Sequence, residues 1–77
     1  MNMCWNHRIM KRRDRGEDFY AIYEVYYDES GKIDGWTEDS CSPEGDSLEE
    51  LKESFRFFRQ AFHAPILDYE TGKKIDG

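Results

Sequence analysis

The most regular hydrophobic pattern in the chain lies between residues 46 and 61 and predicts an amphipathic helix. Apolar side chains recur there at spacings of 3 and 4 residues, which places them on one stripe of the helix. The stripe consists of Leu48, Leu51, Phe55 and Phe58 and continues to Phe62, just beyond this run. Phe57 departs from the pattern, because it lies about 200° around the helix from Phe55. We therefore expect the stripe to face a core and a second surface to cover Phe57.

Local signals define both ends of this helix. Ser47 and Glu50 form a capping box, in which the Ser47 hydroxyl accepts a hydrogen bond from the Glu50 amide. Pro65 disfavours helical geometry at the residue before it, Ala64. We therefore expect the helix to begin after Ser47 and to stop near His63.

Three segments before the helix have strand character. Residues 19 to 27 are rich in aromatic and β-branched side chains and are bounded by turn residues. Residues 6 to 11 form a shorter candidate strand, followed by a loop that contains Gly16. Residues 32 to 39 predict a more polar third strand, weakened by Gly35. The order β-β-β-α predicts an α+β fold, a three-stranded antiparallel sheet with one C-terminal helix packed on one face.

Alternation along residues 19 to 27 gives the second strand two different faces. One face is wholly apolar, and we expect it to meet the helix; it carries Phe19, Ala21, Tyr23, Val25 and Tyr27. The other face is more apolar than a solvated sheet usually is, and carries Tyr20, Ile22, Glu24 and Tyr26. Two interpretations stay open for it. It is an interface, or its tyrosines are half exposed with their hydroxyls in water.

The length of 77 residues predicts one small domain, which we place at residues 1 to 69, followed by a frayed tail at residues 70 to 77. The apolar residues Ile66, Leu67 and Tyr69 are suited to docking beside the sheet as extended chain. A chain this short has a small core, and dimerisation would stabilise it. We therefore expect a homodimer. The absence of a membrane-spanning or secretory apolar run predicts a cytoplasmic location.

Charge is distributed unevenly along the chain. The net charge is −6, yet residues 16 to 53 alone carry −11, and residues 1 to 15 carry +4. The acidic block argues against direct nucleic-acid binding, since phosphate contacts require lysine and arginine. It suits a basic protein partner, and a solvated acidic face is an equally good interpretation. The basic N-terminal segment has two interpretations, contact with a polyanion or compensation of the acidic middle of this chain or of a symmetry mate, and we expect the second.

Candidate chemistry is sparse. Metal-ligating atoms are offered by Cys4, His7, Cys41 and His63. Cys4 and His7 would point to opposite faces of a strand, and the other two have no ligand nearby in the sequence. No spacing places a serine or cysteine beside a histidine, and the glycines form no phosphate-binding loop. We therefore predict no active site, no cofactor and no metal, with both cysteines reduced.

Residues 41 to 51, CSPEGDSLEEL, form the most family-specific segment. This segment is similar to the stretch C-x-x-x-G-D-[ST]-L-E-E that enters the helix of HicB-like antitoxin domains, and the resemblance covers about residues 6 to 63. It implies a partial RNase H-like lobe that inhibits a small basic RNase toxin. That family usually continues into a DNA-binding domain, which is not expected here, so the chain looks like a stand-alone lobe of this kind.

The sequence as a whole predicts a non-enzymatic module that binds a basic protein partner. The expected contact residues are Tyr20, Ile22, Glu24, Tyr26, Trp36 and Phe57. The alternative is a function of another class, an acidic nucleic-acid mimic of phage type that inhibits a host defence nucleoprotein complex, as anti-CRISPR proteins do.

Overall fold

The computed structural model describes residues 4 to 75 and has an α+β fold. Its elements are β1 (Cys4–Asp14), β2 (Glu17–Tyr27), β3 (Ile33–Trp36), α1 (Leu48–Arg59), a 3-10 helix (Gln60–His63) and β4 (Leu67–Asp68). The four strands form one sheet in the order β3-β2-β1-β4, in which β4 is parallel to β1 and the other pairs are antiparallel. The α+β class is confirmed. The prediction of three antiparallel strands is wrong, because the chain returns after the helix and adds β4 beside β1.

A long hairpin of β1 and β2 is the scaffold of the sheet. Each strand has 11 residues, and the pairing runs without interruption from Cys4 opposite Tyr27 to Asp14 opposite Glu17. Arg15 and Gly16 make the turn with φ of 54° and 82°, a two-residue geometry that matches the twist of the strands. Both strands extend beyond their predicted bounds, because this tight turn keeps even the charged residues beside it paired.

The C-terminal segment covers the sheet face that we expected the helix to cover. Met10, Tyr23, Val25 and Leu67 form the buried cluster on this side, which we call the tail face. Trp36 and Tyr69 pack against the cluster, and the Arg12 guanidinium lies 4.2 Å from the centre of the Tyr69 ring. The apolar segment after the helix therefore supplies the second layer of this core.

Beyond β4 the chain folds back along it. The amide of Ile75 donates to the Ile66 carbonyl at 2.9 Å, and Lys74 forms a β-bridge with Leu67. Gly72 has φ of 74°, and a Cβ there would lie 2.6 Å from a ring carbon of Trp36, so both backbone and space favour glycine. Residues 70 to 75 are thus bonded to β4, unlike the frayed tail predicted for them. Residues 1 to 3 of the predicted domain and 76 to 77 of the predicted tail lie outside the described residues.

Helix α1 lies on the opposite side of the hairpin, over the face that carries His7 and Ile9 of β1 and Ile22 and Glu24 of β2. We call this side the helix face. The prediction that the helix meets Tyr23 and Val25 is wrong, because β4 and the chain after it already occupy that side. Within residues 4 to 75, no helix has the length and apolar character needed to cross a membrane.

The predicted helix ends are confirmed. Ser47 is extended and its side chain accepts from the Glu50 amide at 3.1 Å, as a capping residue does. The Glu50 carboxylate accepts from the amide of Asp46 at 3.1 Å, one residue earlier than a standard capping box. The 3-10 helix ends at His63, and Ala64 before Pro65 is extended.

The helix is rotated away from the orientation that its apolar stripe predicts. Ala61 is buried, and Leu51, Ser54 and Phe58 are partly buried, whereas no residue of Leu48–Arg59 is fully buried. Three stripe residues remain largely in solvent, with exposures of 67% for Leu48, 63% for Phe55 and 68% for Phe62. The expectation that the whole stripe faces a core is therefore wrong, because Phe57 and Phe58 both pack on β1 and turn the helix about its axis.

Two leucine substitutions test whether the buried cluster of the tail face or the apolar stripe of the helix forms the core. Leu67→Ala should lower the free energy of unfolding by about 2 to 5 kcal/mol, because it leaves a cavity in the buried cluster of the tail face. Leu48→Ala should change it by less than about 0.5 kcal/mol, because this side chain is exposed. Urea unfolding of both variants measures the difference. Equal losses would mean that the helix stripe belongs to the core and would contradict the described fold.

Candidate functional site

An aromatic stack on the helix face joins α1 to β1. The His7 ring lies parallel to Phe58 with the ring centres 4.0 Å apart, and Phe57 meets His7 edge-on at 4.9 Å. Trp5 stacks on Phe57 at 5.9 Å. The second surface expected for Phe57 is therefore the beginning of β1, at Trp5 and His7, although Phe57 remains 47% exposed.

An acidic cleft opens beside this stack, between the helix face and α1. Its volume is about 670 Å³. His7, Glu24 and Cys41 lie on the side formed by the sheet, and Glu44 and Glu53 lie towards the helix. Three carboxylates and an aromatic wall give the cleft a negative potential, which favours cations or basic side chains.

Three groups with different chemistry converge in the acidic cleft. His7 lies directly opposite Glu24 in the pairing of β1 with β2, and Cys41 forms a β-bridge with Ile22 on the other edge of β2. The imidazole nitrogen, carboxylate oxygen and thiol sulfur of the three side chains all lie within 4.8 Å of one another. Such a set can bind a metal ion or exchange protons, and the sequence analysis did not predict it.

The position of the hairpin turn is the sequence signal that could have predicted two of the three residues of this cluster, His7 and Glu24. A two-residue turn at Arg15 and Gly16 fixes the register of the hairpin and puts His7 opposite Glu24. The loop in the sequence allows several turn positions, so the sequence alone does not determine the register. Cys41 reaches the site through a single bridge beyond β3, for which no local pattern exists.

Burial and hydrogen bonding set the charges of the cluster. His7 is only 6% exposed, and its Nδ1 has no hydrogen-bond partner among residues 4 to 75. Burial lowers the pKa of His7 from its usual 6.5, and the nearby Glu24 carboxylate opposes this in part, so the imidazole is neutral near pH 7. The Tyr26 hydroxyl donates to Glu24 Oε1 at 2.8 Å, which raises the pKa of Tyr26. The Cys41 thiol lies 3.9 Å from Glu24 Oε2.

The predicted contact residues divide between the two faces of the sheet. Alternation along β2 puts four of them on the helix face: Tyr20, Ile22, Glu24 and Tyr26. Phe57 reaches the same region from α1. Trp36 lies on the tail face against Tyr69, so it does not share a surface with the others.

The other predicted ligand candidates lie elsewhere. Cys4 is exposed at the start of β1, and His63 is exposed at the end of the 3-10 helix. Both Cys4 and Cys41 are free thiols.

An apolar groove lies along the other flank of α1. It is formed by the rotated helix stripe and the helix face of the hairpin, and is lined chiefly by Ile9, Tyr20, Ile22, Pro43, Phe55 and Phe62. Of these residues, Tyr20 is about half exposed. The rotation of α1 thus creates two sites at once, a polar cleft on one flank and an apolar groove on the other.

Comparison with protein-family models, with curated proteins and with solved structures gives no match to this chain. The resemblance to HicB-like antitoxin domains therefore stays a prediction.

The lowered pKa of His7 predicts a pH-dependent stability in metal-free buffer. The unfolded chain binds a proton near pH 6.5, while folded His7 binds it only at lower pH, so the free energy of unfolding should fall as the pH decreases below about 6.5. His7→Phe keeps an aromatic ring against Phe58 and should remove this component. Urea unfolding at about pH 7.5 and about pH 5.5 measures it. His63→Gln is the matched control, and an unchanged pH dependence in His7→Phe would contradict the assignment.

Proposed function

We propose that this chain is a non-enzymatic protein-binding module that takes an extended, basic segment of another protein along β2 and into the apolar groove. The observation that supports this most strongly is the exposure of 63% for Phe55 and 68% for Phe62 beside a groove that is itself apolar. Exposed apolar surface of this kind usually marks an interaction site.

Part of the β2 edge beside the groove has backbone amides and carbonyls that are not paired with another strand. The Cys41 amide donates to the Ile22 carbonyl at 2.7 Å, and the Thr37 amide donates to the Glu24 carbonyl at 3.0 Å. Since alternate residues of a strand point their backbone groups to the same side, Tyr20 and Asp18 face the same edge. Within residues 4 to 75, no strand pairs with residues 17 to 21 on that side. An added strand would satisfy these groups and place alternate side chains in the groove.

Two carboxylates at the open edge suit a basic occupant. Glu17 and Asp18 lie there, and Lys11, Arg12 and Arg13, which lie opposite residues 18 to 20 in the pairing with β1, reduce the local negative charge. Asp18 contacts Lys11 at 3.5 Å, but both side chains are more than one third exposed, and such pairs are weak. A lysine or arginine of the partner can therefore pair with these carboxylates.

The homodimer expected from the sequence is the competing occupant of the same groove. Two copies with a net charge of −6 each repel one another, whereas a basic protein is attracted. The resemblance to HicB-like domains supports a more specific form of the proposal, an antitoxin-like inhibitor whose partner is a small basic RNase.

Selection from a random peptide library on the immobilised protein tests the binding mode. Enriched peptides should combine alternating apolar residues with lysine or arginine. Phe62→Asp and Tyr20→Asp should each weaken their binding by at least about 30-fold, the effect of losing an anchor worth about 2 kcal/mol. Isothermal titration calorimetry measures the affinity, and amide shifts in NMR spectra should map to residues 18 to 22.

Phe19→Asp is the matched control, because Phe19 is a neighbouring residue of β2 that is 50% exposed and points to the other face. It should bind as the wild type does. Selected peptides that bind Phe62→Asp unchanged would contradict the groove. Sedimentation of a dimer that Phe62→Asp dissociates would make a second copy the occupant, and displacement of peptides by DNA would favour the nucleic-acid mimic.

A further inference from the structure

We propose that His7, Glu24 and Cys41 form a zinc-binding site at the base of the acidic cleft. The three ligand atoms already lie within 4.8 Å of one another, and they come from backbone positions that the sheet fixes. In a tetrahedral zinc site, bond lengths of about 2.0 to 2.3 Å place ligand atoms about 3.3 to 3.8 Å apart. Side-chain shifts of about 0.5 Å would bring the three onto one ion. The proposal does not depend on the apolar groove.

His7 provides the strongest evidence that this site binds an ion. It is more than nine tenths buried, and its Nδ1 has no partner among residues 4 to 75. A buried polar atom without a hydrogen bond costs free energy, which a bond from that nitrogen to a metal ion would offset. The stack with Phe57 and Phe58 fixes the ring, so the imidazole is oriented before the ion arrives.

Glu24 is also oriented before an ion binds. Its Oε1 is held by the Tyr26 hydroxyl at 2.8 Å, which leaves Oε2 towards the Cys41 thiol at 3.9 Å. A hydrogen bond from a neighbouring residue to a ligating carboxylate is usual in metal sites and tunes their affinity. Tyr26 is thus a positioning residue for the proposed site.

The mixture of ligands selects the metal. A thiolate with an imidazole and a carboxylate suits zinc, whereas magnesium and calcium prefer oxygen ligands alone. Zinc would also neutralise the two negative charges of a deprotonated Cys41 and Glu24. Three protein ligands leave the fourth position open to the acidic cleft, where water or a group of a partner protein can complete the coordination.

Metal titration of the full chain tests the site. After treatment with a chelator and a reducing agent, the protein should bind one equivalent of zinc in isothermal titration calorimetry. Cobalt should give the intense near-ultraviolet absorption of a thiolate bond. Cys41→Ser should abolish that absorption and weaken zinc binding by at least about 100-fold, and Glu24→Gln should weaken it similarly. Tyr26→Phe should weaken it by about 10-fold and keep the absorption.

Cys4→Ser is the matched control, because Cys4 is exposed and takes no part in the cluster. It should keep both the affinity and the cobalt absorption. The melting temperature of the wild type and Cys4→Ser, but not of Cys41→Ser, should rise with zinc. Absence of saturable zinc binding would overturn the proposal, as would wild-type affinity in Cys41→Ser or loss of the cobalt absorption in Cys4→Ser. Circular dichroism of Glu24→Gln and Cys41→Ser confirms that the variants remain folded.

Discussion

The two faces of β1 hold the layers of this molecule in place, because the adjacent residues His7 and Arg8 point to opposite sides of the sheet. His7 stacks on Phe58 and thereby docks α1. Arg8 is buried on the tail face, where its guanidinium donates to the Tyr27 hydroxyl and to the Pro65 carbonyl, each at 2.8 Å. Removing these acceptors would leave a buried cation without partners, which is costly. One strand therefore fixes both where the helix lies and where the C-terminal segment begins.

The two faces of the sheet are covered to different extents. On the tail face the C-terminal segment closes over Tyr23 and Val25, which are 1% and 0% exposed. On the helix face a single helix about 10 Å wide crosses a hairpin of long strands and leaves both of its flanks open. The acidic cleft and the apolar groove are these two flanks. The contact of α1 with His7 determines where the helix lies, and therefore determines the position of both the acidic cleft and the apolar groove.

Local signals in the sequence predicted the helix and the first three strands. They did not predict which face of the sheet the helix covers, because that depends on residues far apart in the chain. The Ser47 cap and the stop before Pro65 depend on neighbouring residues, so they were predicted correctly. Both faces of β2 are apolar enough to pack against a helix. The C-terminal segment around β4 determines which face the helix covers, and its few apolar residues do not show which face they take. Phe57 was the residue that could have predicted the helix orientation. Because it lies off the apolar stripe, it can pack on β1 only if the helix is rotated about its axis. The cluster around His7 needed the hairpin register and a single bridge at Cys41.

Nuclear Overhauser effects between aromatic side chains test most directly which face of the sheet the helix covers. Strong cross-peaks are predicted between ring protons of Phe58 and His7, whose ring centres lie 4.0 Å apart, and between Tyr23 and Tyr69, at 5.3 Å. Spectra of the wild type and of a His7→Phe control assign the first contact. Cross-peaks from Phe58 to Tyr23 or Val25 would place the helix on the tail face, and would contradict the described packing together with the cleft and groove that it forms.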